Sequence, residues 1–239
     1  MPQDARTRLA VALDLPNATA ALALADRLEQ TCRWLKVGME LYYAAGNSLV
    51  HELRNRGFEV FLDLKLHDIP NTVAGAIRSA TQAEASLLTV HASGGAAMLS
   101  AAAEAAQAPG SPRLLAVTVL TSMDAQQLHG IGISETPTEH VVRLARLARS
   151  AGIDGMVCSA EEVSLLRNEL GREVLLVVPG IRPAGAAIGD QKRIATPAAA
   201  IAQGASMLVV GRPITQSSDP AAAADAILHE IEQADRTTH

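Results

Sequence analysis

Eight short apolar stretches, recurring about every 30 residues, constrain this chain more than any other feature of its sequence. They are residues 9–14 (LAVALD), 34–38 (WLKVG), 59–65 (EVFLDLK), 86–91 (SLLTVH), 114–120 (LLAVTVL), 155–159 (GMVCS), 174–179 (VLLVVP) and 206–211 (SMLVVG). Each is nearly continuous in apolar residues rather than alternating, the pattern of strands buried on both faces. Helical spacing fills the intervals. Residues 20–28 and 141–148 carry it, and 222–231 follows Asp219-Pro220, a pair suited to the N-cap and first position of a helix. Eight strand–helix units predict an α/β fold, a (β/α)₈ TIM barrel running over residues 1–239 as a single domain. The alternative is an open doubly wound sheet. That fold favours a Gly-rich turn after the first strand, where this chain reads Asp14-Leu15-Pro16-Asn17.

The 239 residues suit one such barrel. A chain of this size buries about 70% of its unfolded surface, so its core needs neither disulfide nor metal. Twenty basic residues against 25 acidic leave a net charge of −5, spread without long runs. That distribution, with only Trp34, Tyr42, Tyr43, Phe58 and Phe61 as aromatics, argues against a nucleic-acid partner. Cys32 and Cys158 match no metal spacing and fit a reduced chain. The opening MPQDARTRLAVALDL lacks the layout of a signal peptide, and no apolar run approaches the length of a membrane span. The expectation is a soluble cytoplasmic protein.

A barrel collects its chemistry at the C-terminal ends of its strands. Here those ends carry Asp14, Lys36, Asp63 with Lys65, His91, Thr121-Ser122, Ser159 and Gly211-Arg212, which should face one mouth. The segment LDLKLHDIPNT, residues 62–72, is the most informative. Residues two apart on a strand share a face, so Asp63 and Lys65 point the same way. Asp68 lies past the strand end, and Pro70 stops the strand from continuing. With Lys36 on the neighbouring strand, these residues make an array of alternating charge. Such an array also suits a structural salt-bridge network. Two buried pairs in adjacent apolar strands are costly, however, and each contact is on the order of 4 kcal/mol at about 4 Å and an effective dielectric near 20.

The segment DLKLHDIPNT, with ALD on the first strand and LKVG on the second, resembles the orotidine 5′-phosphate decarboxylase family. The likeness continues through VHASGG (90–95), AVTVLTSM (116–123), PGIRP (179–183), GDQKR (189–193) and VVGRPIT (209–215), in order over nearly the whole chain. The resemblance implies decarboxylation of orotidine 5′-monophosphate to uridine 5′-monophosphate without cofactor or metal, by a homodimer whose subunits complete each other's sites. It implies four catalytic residues. Lys65 is the proton donor, Asp63 lies beside the departing carboxylate, Lys36 holds the charge array and the ribose, and Asp68 serves the partner's site together with Thr72. Asp14 would hold a ribose hydroxyl. The surrounding run Leu64, Leu66, His67, Ile69, Pro70 and Asn71 would line the substrate, and Thr121 and Ser122 would meet the pyrimidine. Arg182, Gln191, Gly211 and Arg212 would bind phosphate. Leu62 and Leu66 stand where Phe is common in the family, and Ser206-Met207 where Asp-Tyr is more usual; both read as packing changes.

The residue chemistry agrees with that implication. Loss of CO₂ from C6 of a pyrimidine leaves a carbanion with no adjacent electron sink, and a fixed ammonium can stabilise it and then protonate it. Gly and Arg at the end of the eighth strand suit a phosphate, the usual ligand of that corner of this barrel. Gly180, Gly185 and Gly189, between Pro179 and Pro197, are plausible flexible points for a lid. Other features read as structural. His67 and His91 are expected to be hydrogen-bonded rather than metal-bound, Arg143, Arg146 and Arg149 to form a solvated stripe, and Tyr42 and Tyr43 to serve packing or a dimer contact. Two competing functions remain: a related Mg²⁺-dependent barrel acting on sugar phosphates, and a non-catalytic nucleotide-binding barrel. The first expects an acidic ligand where Lys36 stands, and the second has no need of Lys65 or Asp68.

Overall fold

In the computed structural model, which describes residues 4–28, 31–183 and 195–238, eight parallel strands close into a barrel in the order β1 to β8. The first half of the chain runs β1 (Leu9–Ala12), α1 (Ala18–Leu28), β2 (Trp34–Gly38), α2 (Met39–Asn55), β3 (Glu59–Leu66), α3 (Pro70–Gln82), β4 (Leu87–His91) and α4 (Gly95–Ala105). The second half begins with β5 (Arg113–Val117), α5 (Ala125–Gly130), α6 (Pro137–Ser150), β6 (Gly155–Val157) and α7 (Val163–Leu170). It ends with β7 (Leu175–Val178), α8 (Pro197–Ala202), β8 (Met207–Val210), α9 (Arg212–Thr215) and α10 (Pro220–Thr238). Strands β1 and β8 pair with each other, so the sheet has no open edge, and the doubly wound alternative is excluded.

The continuous apolar runs of the strands divide into two layers. Leu9, Val11, Leu35, Val37, Val60, Leu62, Leu88 and Val90 point outward and pack under the helices. Ala10, Ala12, Phe61, Leu87, Leu115, Val177, Met207 and Val209 point inward and fill the barrel. Residue 155 belongs to this inner packing and must be glycine. A Cβ there would lie 2.5 Å from Leu115 Cδ2 and 2.7 Å from the Leu114 carbonyl oxygen.

Helix starts follow their local sequence. Thr136 caps α6 by accepting from the Glu139 N–H, with Pro137 in the first turn, and Asp219 accepts from the Ala222 N–H at the head of α10. Strand ends deviate more. The first strand stops at Ala12 rather than at residue 14. The fifth stops at Val117, beyond which the hydroxyl of Thr118 bonds the Val157 carbonyl at 2.9 Å. Among the described residues no helix is long and apolar enough to cross a membrane.

Candidate active site

At the C-terminal end of the barrel lies a cavity of about 660 Å³. Its floor is the uppermost inward layer, Ala12, Phe61, Val117, Val157, Val177 and Val209. Above that apolar floor stand Asp14, Lys36, Asp63, Lys65, Thr121, Ser122, Arg182, Gly211 and Arg212, nine of the residues the sequence singled out. Parallel pairing explains the charged part of this set. Ala12 is level with Lys36 on β2, and Gly38 is level with Asp63 on β3, so neighbouring strands deliver their last inward side chains to one place.

The charges interlock. Lys36 Nζ lies 3.1 Å from Asp14 Oδ1 and 3.6 Å from Asp63 Oδ2, while Lys65 Nζ lies 2.8 Å from Asp63 Oδ1. Lys36 is only 8% exposed, so its ammonium depends on these two carboxylates. Burial by itself would raise the Asp63 pKa. The Lys36 and Lys65 ammonium groups, with hydrogen bonds from Lys65 and Thr89, overcome that effect and hold the carboxyl below its ordinary range. Asp63 therefore remains an anion although its side chain is mostly buried.

Lys65 reaches this position by an irregular route. The ladder between β3 and β4 matches Leu62 with Leu88 and Leu66 with Val90, so residues 63–65 face Thr89 alone. Inside this bulge Lys65 adopts φ +49°, a left-handed conformation that is uncommon outside glycine. The i, i+2 relation to Asp63 thus produces the expected ion pair, but across a bulge instead of a regular strand.

Other expected residues fall elsewhere. Leu64 and Leu66 pack against the outer apolar layer. His67, Asp68, Ile69 and Pro70 line a separate shallow recess with Gly94, Ala97 and Met98, and residues 67–72, which include Asn71 and Thr72, are exposed. Gln191, Gly185 and Gly189 lie outside the described residues. Ser159 does not join the mouth: its hydroxyl and N–H both bond the Glu162 carboxylate in a capping box, and it is fully buried. Among the described residues His67 and His91 make no hydrogen bond. They meet as rings 5.5 Å apart, and burial, the His67 ring and the Lys65 ammonium keep the His91 imidazole below its usual pKa although Asp63 opposes them.

Arg143, Arg146 and Arg149 do form an outer stripe, paired with Glu135, Glu169 and Asp154. Tyr42 donates to Asn47 at 2.7 Å, and Tyr43 is exposed. Ser206 does more than pack: its hydroxyl accepts from Arg167 and from the Leu176 N–H. Gly180, expected as a flexible point, lines the cavity. Sequence reasoning missed Thr89, Met39, Glu40 and Gln216. The last three line the cavity; Met39 and Glu40 follow β2 directly, a position that could have flagged them.

Comparison with known proteins settles the family. Residues 7–227 match the sequence model of the orotidine 5′-phosphate decarboxylase / HUMPS family. The chain belongs to this family. It is 58% identical over 225 residues to orotidine 5′-phosphate decarboxylase of Halorhodospira halophila, covering 94% of this chain and 95% of that relative. It is 52% identical over 227 residues to the enzyme of the same name from Vibrio cholerae, covering 94% and 96%. The crystal structure of orotidine 5′-phosphate decarboxylase from Lactobacillus acidophilus superposes with a TM-score of 0.84 at 39% identity, covering 94% of this chain and 99% of that one. The decarboxylase family thus shares both the sequence and the closed barrel of this protein.

Proposed function

We propose that this protein converts orotidine 5′-monophosphate into uridine 5′-monophosphate and CO₂, the last step of de novo UMP synthesis, with residues 1–239 acting as one catalytic domain. The observation that carries this reading is the Asp14–Lys36–Asp63–Lys65 array at the rim of an apolar-floored cavity in a chain of the decarboxylase family.

The C6–carboxylate bond breaks with its electron pair left on C6. The Lys65 ammonium, aimed by its bond to Asp63, stabilises that pair as it develops and then gives C6 its proton. The resulting neutral amine regains a proton from solvent. Asp63, held ionised, faces the departing carboxylate and disfavours the bound ground state. Lys36 keeps Asp14 and Asp63 apart and, with Asp14, receives the ribose hydroxyls. Thr121 and Ser122 present hydroxyls to the amide-like edge of the pyrimidine. Arg182, Gly211 and Arg212, together with Gln191, take the phosphate at the β7–β8 corner. Binding energy collected there, remote from C6, orders the charged cluster around the reacting carbon.

The exposure of residues 67–72, outside the cavity of their own chain, supports a homodimer in which Asp68 and Thr72 reach the partner's site. Two buried cysteines, neither of them in a disulfide, suit a reducing compartment such as the cytoplasm. A Mg²⁺-dependent reaction on sugar phosphates is disfavoured by Lys36, whose ammonium already lies between the Asp14 and Asp63 carboxylates that would otherwise attract a cation.

Ultraviolet absorbance of orotidine 5′-monophosphate mixed with the protein tests the proposal, with EDTA present and Lys65→Ala alongside. Loss of substrate absorbance that survives chelation and vanishes in the variant is expected. Tight nucleotide binding without turnover, or activity that needs Mg²⁺, would overturn it.

A further inference from the structure

Thr89 is a fully buried hydroxyl in the apolar run Leu87, Leu88, Thr89, Val90 of β4. Its oxygen accepts the Lys65 backbone N–H at 2.8 Å and donates to Asp63 Oδ1 at 3.1 Å, while the same Oδ1 accepts Lys65 Nζ at 2.8 Å. Backbone and ammonium of Lys65, hydroxyl of Thr89 and carboxylate of Asp63 therefore close a ring. The location of this ring is informative. Across the bulge three residues of β3 face Thr89 alone, and the Lys65 N–H is satisfied by a side chain where a regular ladder would supply a carbonyl. Lys65 is held there at φ +49°, a conformation that persists only when its surroundings fix it.

We infer that Thr89 is a positioning residue: one hydroxyl pins the left-handed backbone of Lys65 and the orientation of Asp63, and so sets where the ammonium stands. A fully apolar β4 would leave the Lys65 N–H and one Asp63 lone pair unsatisfied in a buried place. Satisfying a buried backbone group is the purely structural alternative. The two roles differ in what they move, because positioning acts on the reacting ammonium while the ribose and phosphate contacts stay intact. The inference rests on the decarboxylase reading for its kinetic consequence only, since the ring exists without substrate.

The test compares Thr89→Val, which keeps shape and removes the hydroxyl, with Thr89→Ser, which keeps the hydroxyl. Both are measured for kcat and KM with orotidine 5′-monophosphate, and for the Asp63 carboxyl titration by ¹³C NMR in the ligand-free protein. Thr89→Val is expected to lose about ten- to hundredfold in kcat with KM nearly unchanged, since it removes a hydrogen bond to a charged group. Its Asp63 midpoint should move upward, and Thr89→Ser should restore both. Unchanged kcat and midpoint in Thr89→Val would overturn the inference. So would equal losses in both variants tracking a fall in thermal stability. If the wild type fails to turn over the substrate, the decarboxylase reading falls, and the Asp63 titration alone then decides the role of Thr89.

Discussion

Replacing Lys36 by Met keeps a chain of similar length in the same space and removes one charge. The ammonium lies 3.6 Å from Asp63 Oδ2, and at an effective dielectric near 20 that contact corresponds to about 4–5 kcal/mol. The Asp14 contact, at 3.1 Å, is to a side chain 62% exposed, so solvent screens most of its value. Removing one partner from a buried pair costs about 3–5 kcal/mol of stability where the other charge is left uncompensated; Asp63 keeps Lys65 at 2.8 Å, so the loss here lies at the lower end, about 3 kcal/mol. Lys36→Met should therefore be destabilised by about that amount in urea unfolding at pH 7. Its kcat/KM should fall by about a thousandfold, the equivalent of roughly 4 kcal/mol in the barrier.

The pH dependence fixes the cause. Asp63 has a depressed pKa in the folded protein, so its contribution is present above the ordinary value of 3.8 and is lost as pH falls through the folded value. The stability gap between wild type and Lys36→Met should hast its full size at neutral pH and narrow as the medium is acidified below that value. A variant as stable as the wild type at pH 7, or a gap that widens in acid, would refute the electrostatic argument.

Gly155→Ala should cost about 1–3 kcal/mol, because its Cβ would meet the Leu114 carbonyl oxygen at 2.7 Å. Thermal unfolding should shift down by several degrees, and an unchanged midpoint would contradict the packing described here. Arg212→Ala should raise KM by about ten- to hundredfold with a smaller effect on binding of the unphosphorylated nucleoside, as loss of a charge-assisted phosphate contact requires; equal effects on both ligands would remove Arg212 from the phosphate site. The Cys32 thiol is pushed up to about 12 by burial, so a chromogenic disulfide reagent at pH 8 should modify it only as fast as the protein unfolds. Labelling at the rate of an exposed thiol would refute that.

The barrel was legible because strands buried on both faces leave continuous apolar runs, and the start of α10 because Asp219-Pro220 acts locally; the start of α6 was placed four residues late although Thr136-Pro137 marks it. Strand ends were less legible. Where a ladder stops depends on the neighbouring strand, as the turn of Thr118 toward Val157 illustrates. Most of the charged cluster could be read from DLK and LKVG, since parallel strands in register bring their ends together. Ser159 was misjudged although the Ser-x-x-Glu spacing to Glu162, a capping-box pattern, was visible in the chain. Thr89 left no such local mark: its two bonds reach 24 and 26 residues away, and only the bulge in β3 creates the need for them. The roles proposed for Asp68 and Thr72 require a second copy of the chain, which a single-chain reading reaches only through family resemblance.

The central claim is that this cavity breaks the C6–carboxylate bond and that Lys65 protonates the carbon left behind. Its most direct test is turnover of orotidine 5′-monophosphate in D₂O, with the product followed by proton NMR and released CO₂ quantified. The account predicts one CO₂ per uridine 5′-monophosphate, deuterium at C6 of every product molecule, and no product from a Lys65→Ala variant that still binds uridine 5′-monophosphate. Product formed by Lys65→Ala at a rate near that of the wild type, or uridine 5′-monophosphate without deuterium at C6, would contradict it.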